Sequence, residues 1–307
     1  MRILMVGAGA TGGYFGGKLA QAGRDLTFLL RAKRAEQVRK DGLQIASPMG
    51  DFTVQPKVVT ADELREKAEV FDLIVISTKA YQLEGAMDDI APAVGPETMV
   101  LPILNGMRQL SILEKRFGAA AVLGGSVRIH ADVDEQDHIE HKTKLSELSF
   151  GERSGERTPR IEAVERELQG AGFDAILQTD ILATMWQKWW ILASLGSICV
   201  LSRGTIGQAA AAPHGRAFAE SVVNDCIEIA AANGYPANPG MLAEHMERMT
   251  AAGSTMSSSL YRDMTKGAPV EADHILGDLL DHAKGVKAPL ITAAYVQLKV
   301  YEAGRTA

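Results

Sequence analysis

The first dozen residues, MRILMVGAGATG, constrain the fold more than any other stretch. A short apolar run from Arg2 to Val6 passes straight into Gly7, Gly9 and Gly12 at GxGxxG spacing, and a helical pattern follows. Glycine in a helix interior costs about 1 kcal/mol relative to alanine, so a helix that begins on glycines begins against something its backbone must approach closely. At the end of a strand the first glycine permits a tight turn, the second admits a pyrophosphate, and the third packs the helix on the strand. The unpaired N–H groups of the first turn then face the phosphates, with the positive end of the helix dipole behind them. The expected cradle is Gly7, Ala8, Gly9, Ala10, Thr11 and Gly12.

Further apolar runs punctuate the first half: LTFLL at 26–30, FDLIVIS at 71–77 and MVLPIL at 99–104, with helical patterns between them. Strands that are apolar throughout and alternate with helices predict a parallel sheet covered on both faces. The stretches AVLGGSVRIHADV and KLSELSFGE predict paired strands around the turn DVDEQDH. Beyond about residue 180 the strand signal stops. Helices are expected from Thr184 to about Leu201, His214 to Asn233, Asn238 to Ala252, Val270 to Gly285 and Pro289 to Glu302. The expected fold class is therefore α/β, a Rossmann-type doubly wound parallel sheet over residues 1–178 followed by an all-helical domain over 179–307, which accords with a length of 307 residues.

The second strand ends LLRAKR, where an NAD site would place a carboxylate on the ribose hydroxyls. Arg31 abuts the strand and can meet a 2′-phosphate through charge-assisted bonds, so the expected cofactor is NADPH. Lys33 and Arg34 can join it or simply form a solvated first turn. A net charge of −6 argues against nucleic acid as a partner. The longest apolar stretch, WWILASLGSICVL from Trp189 to Leu201, falls short of the ~20 residues a membrane span needs. Two cysteines in apolar helical segments, Cys199 and Cys226, read as buried inert thiols, and a reducing cytoplasm fits.

With these pieces in order, the chain resembles the ketopantoate reductase (2-dehydropantoate 2-reductase) family. The resemblance rests on GAGATG at 7–12, Arg31, STKAYQ at 77–82, LNG at 104–106, MWQKW at 185–189, and the set Ser259, Asp263 and Glu271. It implies Lys188 as general acid and Glu271 as its partner in the active site, with Glu271 also near the cofactor. It further implies Asn105 between nicotinamide and substrate, Ser259 on the substrate, and Lys79 lining the cofactor and substrate cleft. Such roles are chemically coherent, because hydride delivery to a 2-oxo carbon creates an alkoxide that an ammonium group can stabilise and protonate. Other readings of the same residues stay open. Lys188 among Trp186, Trp189 and Trp190 can be a snorkelling lysine, Glu271 in a first helical turn complements the helix dipole, and Ser259 belongs to an ordinary helix-opening SSS.

The chain departs from the family where better-known members carry two asparagines, one and two turns beyond the catalytic lysine. Here Leu192 and Gly196 stand there, so the face shared with Lys188 becomes smaller and apolar; Ser194 and Ser197 point elsewhere. Arg108, after LNGM, reads as a surface residue with substrate carboxylate binding as the alternative. No metal is expected: His130, His138 and His141 read as strand-surface histidines. The methionines from Met241 to Met264 read as a packed helix face. The expected function is NADPH-dependent reduction of 2-dehydropantoate to pantoate, with reduction of another 2-oxo acid, or NADPH sensing without catalysis, as alternatives. A homodimer is compatible with the sequence.

Overall fold

The computed structural model describes residues 1–306, which divide into two compact units: residues 1–104 with 109–184, and 105–108 with 185–306. The first unit contains ten strands: β1 (Ile3–Val6), β2 (Leu26–Leu29), β3 (Leu43–Ala46), β4 (Phe52–Val54), β5 (Lys57–Val59), β6 (Leu73–Ile76), β7 (Met99–Pro102), β8 (Gly124–Val133), β9 (Ile139–Gly151) and β10 (Asp174–Leu177). Five of them form an all-parallel sheet in the order β5-β2-β1-β6-β7. Every residue of β1, β2, β6 and β7 is buried, as strands of a doubly covered sheet must be, and Thr27 of β2 is the one polar residue among them. The chain runs from β1 to β2 on one side and returns to β6 on the other, which makes the carboxyl ends of β1 and β6 a topological switch point.

A second sheet holds β10-β9-β3-β4, with β8 antiparallel to β9. The hairpin expected between residues 122 and 150 is present. Its parallel pairing with β3 and with β10 adds neighbours that no local pattern announced. His141 lies within β9 but is 4% exposed, which corrects the reading of all three histidines as surface residues. Its ring packs on Tyr14, with Nδ1 2.9 Å from Ser47 Oγ and Nε2 3.1 Å from the Leu145 carbonyl. Among the described residues no group of three or more His, Cys, Asp or Glu side chains comes together as a metal site.

The second unit is helical. It takes the long helix Ile181–Ser202 from Met185 onward, followed by Ile206–Ala211, Gly215–Ala232, Pro239–Met249, Ser259–Thr265 and Pro289–Thr306. Trp189, Trp190, Val222, Ile229, Leu279 and Ile291 are among its fully buried residues, and Met107 packs against the same core, which groups residues 105–108 with this unit. Cys199 and Cys226 are free and buried. Two expectations need correction. The methionines do not share one helix face: Met249 and Met264 are buried, whereas Met241 and Met256, the latter between helices, are each 38% exposed. Nor is 270–285 one regular helix. A π-helical turn, Asp273–Gly277, precedes a single α-turn, Asp278–Asp281. The indole N–H of Trp189 donates to the Ile275 carbonyl at 2.9 Å inside this widened turn, a side-chain donor entering the backbone ladder. No described helix is long and apolar enough to cross a membrane.

Candidate active site

The glycine turn closes β1 at the switch point. The ladder continues into it on both sides, Gly7 N–H donating to the Leu29 carbonyl and Ser77 N–H to that of Val6, each at 3.1 Å. Gly7 needs its glycine because φ is +95°. Gly12 needs its own for closeness: a Cβ there would sit 2.5 Å from the Gly7 carbonyl oxygen and 2.7 Å from Ser77 Cβ. Gly9 is different. Its backbone, φ −75° and ψ −170°, suits any residue, and a Cβ there would meet nothing within 4 Å. The fold therefore leaves space over Gly9 that it does not itself fill.

Gly9 is also the N-cap of the helix Ala10–Gln21, which has no side-chain cap and no acidic residue in its first turn. Beside Gly7, the Thr78 hydroxyl oxygen is buried without a hydrogen-bonding partner. An open, uncapped helix end with an orphaned hydroxyl beside it fits a dinucleotide phosphate. Thr78 follows an apolar strand within the STKAYQ stretch, a signal that sequence reading spent on Lys79 alone. Lys79 is exposed just beyond the end of β6. Arg31 is exposed at the end of β2, where it is the N-cap of Ala32–Asp41. Arg34 turns to Gln37, its guanidinium 3.0 Å from the amide oxygen.

The remaining expected residues, Asn105, Lys188, Ser259 and Glu271, all belong to the second unit. Lys188 sits on the tryptophan-rich helix with Trp186, Trp189 and Trp190 buried around its turn. It is half-buried by surface, yet the protein around its ammonium lowers its pKa to about 8, while the Glu271 carboxylate acts in the opposite sense. A snorkelling lysine keeps its head hydrated and its pKa ordinary, whereas burial here acts against the charged form. Glu271 is 7% exposed and stands immediately ahead of the π-helical segment, its carbonyl accepting from Ile275 N–H.

Ser259 is half-buried at the start of its helix. The capping role falls to Ser258, whose hydroxyl accepts the Tyr261 N–H at 3.0 Å. The neighbouring Leu260 reaches the lysine helix, its Cδ1 lying 2.9 Å from where a Cβ on Gly196 would be. Asn105 is half-buried in the turn before the helix Arg108–Phe117. Arg108 has an exposed side chain, and its backbone N–H donates to the Asp278 carboxylate. Sequence reading missed Asp278; an acid inside the apolar run ILGDLL was the available signal.

Residues 3–155 match the family described as ketopantoate reductase PanE/ApbA, and residues 180–302 match the C-terminal domain of the same family. An uncharacterized oxidoreductase, YkpB, of Bacillus subtilis is 36% identical over 99% of both chains. A 2-dehydropantoate 2-reductase of Mesorhizobium japonicum is 29% identical, covering 95% of this chain and 94% of its own. Among solved structures, the 2-dehydropantoate 2-reductase of Geobacter metallireducens superposes with a TM-score of 0.87 at 26% identity, over 98% of this chain and 99% of that one.

Proposed function

We propose that this chain, which belongs to the ketopantoate reductase family and is an oxidoreductase of that family, reduces 2-dehydropantoate to pantoate with NADPH. The observation that carries this reading is a buried Lys188 ammonium that feels the charge of the buried Glu271 carboxylate. A buried amine with a pKa near 8 is still largely protonated at neutral pH, yet it releases its proton far more readily than an ordinary lysine. In this reading Lys188 Nζ stands by the 2-oxo oxygen, stabilises the negative charge that grows there, and gives up a proton as the alcohol forms. Glu271 keeps the ammonium charged until that moment. Asn105 and Ser259 orient the substrate by hydrogen bonds, and Lys79 adds positive charge for its carboxylate.

The nicotinamide, when bound, supplies the hydride to the 2-oxo carbon. The turn from Gly7 to Gly12 would hold its diphosphate, aided by the Thr78 hydroxyl. Arg31 would hold the 2′-phosphate, since no acidic residue occupies the end of β2. Two free buried thiols suit a cytoplasmic location.

A second reading keeps the chemistry and changes the substrate. Leu192 is half-buried one turn past Lys188, and Leu260 packs against Gly196 one turn further, so that stretch of the helix offers apolar contact where a substrate hydroxyl would seek a partner. A 2-oxo acid with a branched apolar end suits such a wall. The test for both readings follows nucleotide absorbance with 2-dehydropantoate and a set of branched 2-oxo acids, using NADPH and NADH. The expected result is the highest kcat/KM for 2-dehydropantoate, with NADPH preferred. Preference for a branched acid transfers the assignment to the second reading, and tight NADPH binding without oxidation by any acid defeats both.

A further inference from the structure

Asp278 is a buried acid with an unusual allotment of partners. It is 6% exposed and its Oδ2 has no hydrogen-bonding partner, so the N–H of Arg108 is received at Oδ1. The His282 ring lies one turn on, with Nδ1 3.7 Å from the same oxygen and 2.7 Å from the Asp278 carbonyl. That ring stands edge-on to Trp186 and Trp189, at 5.6 and 5.5 Å. The two tryptophans flank Lys188 in sequence, and Trp189 also donates to Ile275 in the π-helical turn that follows Glu271. One carboxylate thus joins the turn bearing Asn105 to the packing around both Lys188 and Glu271.

Hydrophobic side chains would fill this place at less cost, because a buried carboxylate with one oxygen unpaired weakens the fold. Burial raises the Asp278 pKa to about 6, against the opposing pull of His282 and Arg108, so the group is largely ionised at neutral pH in spite of that cost. What it supplies in return is a single strong bond to the main chain at Arg108, three residues from Asn105. We infer that Asp278 is a positioning residue that holds the turn Asn105–Arg108, and with it the Asn105 amide, in the geometry that substrate reduction needs. The inference rests on the role proposed for Asn105.

Two variants test it. Asp278→Asn keeps an acceptor for the Arg108 N–H, whereas Asp278→Leu keeps the volume and removes the bond. In Asp278→Leu the Arg108 amide should exchange with deuterium about ten-fold faster than in the wild-type chain, and in Asp278→Asn within about three-fold. With the best 2-oxo acid, kcat/KM should fall about ten-fold or more in Asp278→Leu and largely recover in Asp278→Asn, with NADPH affinity within about two-fold throughout. Equal exchange in Asp278→Leu and wild type, or faster exchange with kcat/KM untouched, overturns the inference. So does faster exchange spread equally over the helix Ala10–Gln21, which would report general loosening. The exchange measurement needs no substrate. It decides the tether even for a wild-type chain that reduces no 2-oxo acid, the result that defeats the proposed function alone.

Discussion

Lys188→Ala lowers kcat by about 10²–10⁴-fold and leaves NADPH affinity nearly unchanged, the pattern of a lost proton donor. The expectation follows from where the residue sits. Its ammonium is desolvated by burial in the second unit, whereas the glycine turn belongs to the first. Lys188→Met provides the stability control. Lowering an amine from 10.5 to about 8 by burial costs the folded state on the order of 3 kcal/mol at neutral pH, before allowance for its remaining exposure. The folded pKa lies below the unfolded one, so that cost disappears as pH rises from about 8 through 10.5. A methionine of similar length removes the cost outright. Because Lys188→Met alone leaves the buried Glu271 carboxylate without the ammonium, the double variant Lys188→Met/Glu271→Gln should unfold at a temperature no lower than wild type while being as inactive as the alanine variant; steady-state kinetics and thermal melts check the two halves. Unchanged kcat in either variant removes Lys188 from the mechanism.

Gly9→Val abolishes dinucleotide binding without harming the fold. A valine at this position has an allowed backbone and no protein atom within 4 Å of its Cβ, so thermal stability should match wild type. The same side chain occupies the space over the helix N-terminus that a diphosphate would need. Losing two charge-assisted bonds worth about 1.5–3 kcal/mol each corresponds to at least about 100-fold in Kd, measurable by calorimetric titration with NADPH. Gly12→Ala gives the opposite signature. Its Cβ would press on the Gly7 carbonyl at 2.5 Å, so the helix must shift and the melting temperature fall. Retained NADPH affinity in Gly9→Val would show that the diphosphate does not rest there.

The strands that position the cradle were legible because burial on both faces leaves an unambiguous mark. ILMV, LIVI and MVLP are apolar at every position, and the glycines follow the first of them directly. The second sheet was only partly legible. The hairpin β8–β9 is local and shows in sequence, but β3 and β10 join β9 through partners far along the chain, and β10 is too exposed to carry a pattern. His141 sits in an alternating polar stretch that reads as surface, and Tyr14 and Ser47, remote in sequence, help to cover it. The π-helical turn has the same apolar spacing as an α-helix; the donor that enters it, Trp189, is 86 residues away.

The site divides in the same way. Gly7, Gly9 and Gly12 could be argued from spacing and flanks alone. Lys188 and Glu271 could not, because a lysine between tryptophans and a glutamate at a helix start are each ordinary in isolation, and they entered through resemblance. Their electrostatic attraction exists only once the long helix and the segment before the π-helical turn are brought near each other by the fold. Thr78 and Asp278 were missed because an unpaired buried oxygen is a property of surroundings, not of residue type.

That attraction between amine and carboxylate is best examined through the pH dependence of kcat in the wild-type chain and in Glu271→Gln. With Lys188 as the acid held charged by Glu271, kcat is level at neutral pH and falls about ten-fold per pH unit above a pKa near 8. Removal of the carboxylate moves this basic limb to lower pH. A limb that stays in place in Glu271→Gln, or a wild-type profile with no basic limb, contradicts the account.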